Sequence, residues 1–169
     1  LHLEDGRYFL NASKEEYDVV ILDAFLGDSS PSHLMSRECF ESMSQRMEND
    51  AVLVINAFGH FSEGKDFFMA SLDKTLRAVF KSVHIHDGTR GNVFFVASKK
   101  EGLEPHRSMD MSEVHPKLIP FVETAWKNTI DANPESGIIL TDNYNPVEYY
   151  DSKIREEIRL NFALNMRGK

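Results

Sequence analysis

Two apolar runs constrain this chain more than anything else in it. Tyr17-Asp18-Val19-Val20-Ile21-Leu22-Asp23-Ala24 is rich in β-branched residues, is entered from polar Lys14-Glu15-Glu16, and ends on an acid. Ala51-Val52-Leu53-Val54-Ile55-Asn56-Ala57 is the second. Short runs without polar alternation read as strands buried on both faces, as in a parallel sheet covered by helices. Between them, Ser36 to Met47 places Cys39, Phe40, Met43 and Met47 at helical spacing, with Ser36 giving a partial N-cap signal. Parallel neighbours need a crossover rather than a tight turn, so strand, helix, strand is the unit expected, with a right-handed connection.

The alternation continues. Lys65 to Phe80 carries Phe68, Leu72, Leu76, Val79 and Phe80 on one helical stripe. Ser82 to His86 and Val93 to Ala97 read as strands, joined by the turn cluster Asp87-Gly88-Thr89-Arg90-Gly91-Asn92 into an antiparallel hairpin at the sheet edge. Beyond Lys100 the composition turns polar. A helix is expected over Ile119–Thr129 around Trp126, a short strand or extended piece at Gly137–Leu140, and a helix over Ser152–Met166. Its Lys153, Arg155, Glu156, Glu157 and Arg159 read as a solvated face. No linker or repeat interrupts the sequence, so residues 1–169 form a single domain: a core over 1–100 and a helical extension over 101–169.

Charge narrows the function classes. The chain has 27 acidic side chains against 19 lysines and arginines, a net charge of -8. A duplex-binding protein needs a basic face to neutralise phosphates, so nucleic acid is not an expected partner. An acidic cleft instead concentrates small cations, although many soluble domains are simply acidic. Cys39 is the sole cysteine and no apolar run approaches the roughly 20 residues that span a bilayer, so a reducing, cytoplasmic setting is expected.

The chemistry-bearing residues cluster near the start. Glu4-Asp5-Gly6-Arg7-Tyr8-Phe9-Leu10 puts an acid at the end of a short strand and a glycine where a helix begins; Asp23 ends the next strand. Ligands of open parallel sheets bind beyond the carboxyl ends of the strands, so both acids are expected at one crevice. Capping of the following helices is the competing explanation for each aspartate. Weaker candidates are His84, His86 and Asp87 as metal ligands, against a plain edge strand, and Cys39 beside His33 as a thiol nucleophile, against a core cysteine. No metal is expected. Asn56-Ala57-Phe58-Gly59-His60 follows a strand end and could line the crevice, against a plain loop.

After Asp23 comes Phe25-Leu26-Gly27-Asp28-Ser29-Ser30-Pro31-Ser32-His33-Leu34. Asp-Gly-Arg-x-Phe-Leu, then Tyr-Asp-Val-Val-Ile-Leu-Asp-Ala, then Gly-Asp-Ser-x-Pro-x-His-Leu resembles the central block of the spermidine synthase (polyamine aminopropyltransferase) family. Leu140-Thr141-Asp142-Asn143-Tyr144-Asn145-Pro146-Val147-Glu148 is similar to the late motif of its bacterial branch, which includes forms fused to membrane segments. The resemblance implies the later part of a Rossmann-like, class I methyltransferase-like α/β domain. Its sheet would be mostly parallel with an antiparallel final hairpin, and its N-terminal strands would be missing.

By the same resemblance, Asp5 and Gly6 would hold the adenine of the co-substrate decarboxylated S-adenosylmethionine, and Pro31 would line the nucleoside pocket. Asp23 would be the general base, and Asp23 with Asp28 would bind the diamine, putrescine by default. Family members usually show Asp-Ser-Thr-Asp where this chain has Asp23-Ala24-Phe25-Leu26-Gly27-Asp28, and no Gly-x-Gly loop for the nucleoside occurs. With Leu1 in place of Met, that departure suggests a piece of a longer product, with an upstream N-terminal or membrane domain to be looked for. A half sheet exposes an edge, so a homo-oligomer is expected. Two alternatives stand beside aminopropyl transfer: a methyltransferase using ordinary S-adenosylmethionine, and a non-catalytic module lacking the cofactor loop.

Overall fold

The computed structural model describes residues 1–25, 30–88, 91–103 and 110–167, with backbone alone at 158, 161, 162 and 164–167. The chain opens without the expected short strand: residues 1–5 are irregular and lead into α1 (Gly6–Ala12). Asp5 caps that helix, its carboxylate accepting from the Tyr8 amide at 2.9 Å. Then come β1 (Tyr17–Leu22), a 3-10 turn (Ser32–Leu34), α2 (Arg37–Gln45), β2 (Met47–Phe58), α3 (Phe67–Arg77), β3 (Ser82–Asp87), β4 (Asn92–Ser98), α4 (Ile119–Lys127) and α5 (Val147–Arg167).

The four strands make one sheet in the order β1-β2-β4-β3. β1 and β2 pair in parallel, while β4 runs antiparallel to both of its neighbours. Three strands therefore share a direction, and the last one inserts between β2 and β3. The hairpin expected from the turn cluster is present, but its return strand lies inside the sheet and leaves β3 at the edge. Gly91 carries φ 85°, a conformation open to glycine, and the Gly88 amide donates to the Asn92 carbonyl at 2.9 Å.

The core lies on one face of the sheet. Ala51, Leu53, Ile55 and Ala57 alternate inward along β2 and meet Phe40 and Met43 of α2 and Phe68, Leu72 and Leu76 of α3. Burying each large side chain contributes roughly 1.5–3 kcal/mol relative to leaving it in water. Leu140, Val147 and Ile154 join the same cluster, so residues beyond 100 complete the core.

Several expectations need correction. β1 is not buried on both faces: Val19 and Ile21 are 55% and 69% exposed, because they point to the face of β1 that no described helix covers. α2 stops at Gln45, and Met47 opens β2 by pairing with Tyr17; the polar Glu48-Asn49-Asp50 stretch is exposed strand. At Gly137–Leu140 the extended alternative holds, and the segment joins no strand. The Ile138 and Leu140 amides donate to Ser71 Oγ and Thr75 Oγ1 of α3, and the Leu140 carbonyl accepts from the first amide of α2. Side-chain hydroxyls thus take the place of a ladder. Gly137 fits there because a Cβ would stand 2.5 Å from the Ser71 nitrogen and φ is 77°.

On the opposite face, α4 lies over β3. Trp126 stacks on His86 with centroids 5.6 Å apart, beside an apolar groove of about 800 Å³ floored by Val52, Val54, Phe94 and Val96.

Candidate active site

Asp23 leaves the carboxyl end of β1, exposed, and its Oδ1 accepts from Asn56 Nδ2 at 3.0 Å. Asn56 is part of β2, near the same end of the sheet; β2 runs on to Phe58, past the Ala57 end of the apolar run. Among the described residues no helix is capped by Asp23. Pro31 precedes the next helical turn and Ser36 caps α2, its Oγ accepting from the Cys39 amide. An acid at a strand end with no capping duty is what a ligand-facing carboxylate requires.

Asp5 stands differently, since its capping duty is real. Its second oxygen meets His33 Nε2 at 2.8 Å, joining the start of α1 to the turn that follows β1. The Tyr8 amide and then His33 hold its carboxyl below the usual aspartate range. Beside it, an ideal Cβ built on Gly6 meets nothing within 4 Å, so the start of α1 faces open space. The described hydrogen bonds join Asp5 to the turn and Asp23 to β2; none joins the two acids directly. Asp28 lies outside the described residues.

A second group of side chains ties the late motif to this region. Arg7 on α1 makes a bidentate contact with Asp142, at 2.8 and 2.6 Å, and donates to the His33 carbonyl at 3.3 Å. Asp142 also accepts from Ser36 Oγ at 2.6 Å, while its amide donates to Glu38 at 3.0 Å. The Arg7 hydrogen bond lowers the Asp142 pKa, and the pairing raises that of Arg7. Asn145 Nδ2 donates to the Ser32 carbonyl, and Ser32 Oγ donates to Glu148. Residues 142–148 thus hold the segment that contains Pro31 and His33.

α5 adds a third. Asp151, fully buried, accepts the Ser30 amide and the Arg155 Nε. Arg155 is no solvated residue: its side chain is 15% exposed, with its guanidinium 4.4 Å from the Phe25 ring and 4.6 Å from the Phe58 ring. Such cation–π contacts contribute roughly 0.5–2 kcal/mol. A cleft of about 480 Å³ opens beside Gly59, His60, Asp87 and Gly91, where β2 and β3 end.

The weaker candidates resolve simply. Cys39 is buried in the core and its thiol is pushed up to about 11 by burial, which removes the thiolate a nucleophile needs. His86 packs on Trp126, and no group of three potential ligand side chains gathers among the described residues. No described helix is long and apolar enough to cross a membrane.

Comparison with known proteins follows the same lines. Residues 1–87 match the spermine/spermidine synthase domain. The chain is 35% identical over 88 residues to polyamine aminopropyltransferase 2 of Pseudomonas aeruginosa, covering 51% of this chain and 25% of that protein. It is 27% identical over 157 residues to the polyamine aminopropyltransferase of Vibrio vulnificus, covering 86% of this chain and 51% of that one. Its fold is similar to the crystal structure titled "a probable spermidine synthase from Corynebacterium glutamicum", with TM-score 0.52 and 16% identity over 91% of this chain and 50% of the other. The chain spans between a quarter and a half of the length of these curated relatives. With more than half of its length matching one domain, the chain belongs to the spermine/spermidine synthase family.

Proposed function

We propose that this chain carries the acid side of an aminopropyl-transfer site, moving the aminopropyl group of decarboxylated S-adenosylmethionine to putrescine or a related diamine. The observation that carries the reading is Asp23. It is exposed at the carboxyl end of a parallel strand, caps none of the described helices, and is oriented by Asn56 from the neighbouring strand.

The chemistry suits a carboxylate there. At neutral pH the acceptor amine is mostly an ammonium, which a carboxylate binds and then deprotonates. The freed nitrogen lone pair attacks the carbon beside the sulfonium. A C–N bond forms, the C–S bond breaks with its electron pair going to sulfur, and methylthioadenosine leaves as a neutral thioether. Asp23 holds the proton. A second acid anchors the far ammonium and fixes the approach, the role assigned to Asp28. Adenine would lie against Gly6, where no neighbouring side chain stands within 4 Å of a Cβ, and its amine would share Asp5 Oδ2 with His33. Pro31 lines the nucleoside side.

A non-catalytic reading has one observation in its favour: both Asp5 oxygens already have protein partners.

The test uses the full reading frame, incubated with decarboxylated S-adenosylmethionine and putrescine and followed by mass spectrometry. Methylthioadenosine and spermidine are expected together. Asp23→Asn should lose about 10²–10⁴-fold in rate, the usual worth of a positioned general base, while nucleoside binding persists. A variant that keeps most of the parent rate removes the general-base assignment.

A further inference from the structure

One buried ion pair on α5 reaches both sides of the proposed site. Asp151 takes the Ser30 amide on one oxygen and Arg155 Nε on the other at 3.2 Å. Arg155 in turn faces the rings of Phe25 and Phe58. Phe25 stands two residues past Asp23, Phe58 two residues past Asn56, and Ser30 directly before Pro31. Nothing in the family resemblance assigns a role to either α5 residue.

We propose that Asp151 and Arg155 are positioning residues for the transfer site. The pair sets where the Asp23–Asn56 couple stands relative to the Ser30–Pro31 segment. This rests on the aminopropyl-transfer reading above.

Two observations separate the pair from ordinary helix packing. Fully buried carboxylates are rare, and a buried ion pair offers little net stability over apolar side chains of the same volume. Such a pair does, however, fix the geometry of whatever it contacts. The network is also left open: Ser30 Oγ and Arg155 Nη2 are buried without a partner among the described residues. Each such group calls for an explanation beyond helix packing. Arginine is suited to the post, because its planar fork can face two rings while Nε holds a carboxylate, which a lysine ammonium cannot do.

The test compares three proteins in the full reading frame: the parent, Arg155→Lys, and the double variant Asp151→Asn with Arg155→Met. The double variant removes both charges at similar volume, so no unpaired buried charge is left to block folding. Measured are amide exchange at Ser30, melting temperature, and kcat and KM for the amine at saturating donor. Expected is faster Ser30 exchange in the double variant and, in both variants, a melting temperature within about 3 °C of the parent with kcat lower by about tenfold or more, which is 1.4 kcal/mol. KM should hold within about threefold.

Unchanged Ser30 exchange in the double variant overturns the anchor. Faster exchange with parental kcat overturns the positioning role. A collapse in melting temperature with kcat and KM moving together marks the pair as merely structural and overturns it as well. A parent without turnover sinks the aminopropyl-transfer reading, and the positioning role with it. An active parent with indifferent variants sinks only this inference.

Discussion

Gly6→Ala separates folding from nucleoside binding, because the two should respond with opposite sign. Gly6 is the first residue of α1, and a Cβ there meets nothing within 4 Å. It is not among the glycines with positive φ. Folding therefore has no need of glycine at this position. Replacing it with alanine reduces the freedom of the unfolded chain and stabilises by about 0.4–1 kcal/mol. For a chain of this size that raises the melting temperature by roughly 1–4 °C.

The proposed adenine site predicts the reverse for ligand. If the nucleoside lies against the Gly6 backbone, the new methyl group overpacks the contact by about 1–3 kcal/mol. At 1.4 kcal/mol per tenfold, affinity falls roughly 5- to 150-fold. The assay is thermal denaturation of parent and variant, with and without methylthioadenosine, followed by calorimetric titration of the same nucleoside. A raised melting temperature with parental affinity refutes the placement of adenine at Gly6. A lowered melting temperature refutes the claim that the space is open.

Asp142→Asn should show a pH-dependent loss of stability. The folded carboxyl titrates below its unfolded value because Arg7 holds the charged form, so its contribution is full above about pH 4 and fades as pH falls through the lower folded value. The gap in melting temperature between parent and variant should therefore be largest near neutrality and modest, given a partly exposed pair; a gap of constant size down to about pH 2 refutes the assignment. The unpaired side of β1, with Val19 and Ile21 exposed, invites pairing with a second copy. Light scattering on this chain should show a dimer or larger, and a monomeric mass at working concentration counts against it.

What the sequence reveals here is what short-range patterns encode. Short apolar or alternating runs announced all four strands of the sheet, because the face of a strand that meets the core has to be apolar. Asp23 was legible for a similar reason: it ends such a run, and strand ends are where an open sheet meets its ligand. The exposure of β1 was not legible, because an apolar strand looks the same whether or not a layer covers its second face. The Met47 boundary failed because helical spacing and strand alternation both fit an isolated methionine beside a polar stretch.

The partners of the site were harder to see than its members. Arg7 and Asp142 are separated by 135 residues, and Ser30 and Asp151 by 121. No local propensity signals such a pairing. Arg155 sits among Lys153, Glu156, Glu157 and Arg159, a run whose i,i+4 arrangement describes a wet helix face. One arginine of that run turns inward because Phe25 and Phe58 offer it two rings and Asp151, four residues back, offers it a carboxylate. Periodicity assigns a face to a helix, but a long side chain can leave that face at little cost when its charge is met elsewhere. The late motif was recognised by its resemblance alone; its physical content is the set of bonds by which Asp142, Asn145 and Glu148 hold the segment around Pro31 and His33. The residues that could do chemistry are thus set by the strands, and their placement is set by a segment more than a hundred residues away.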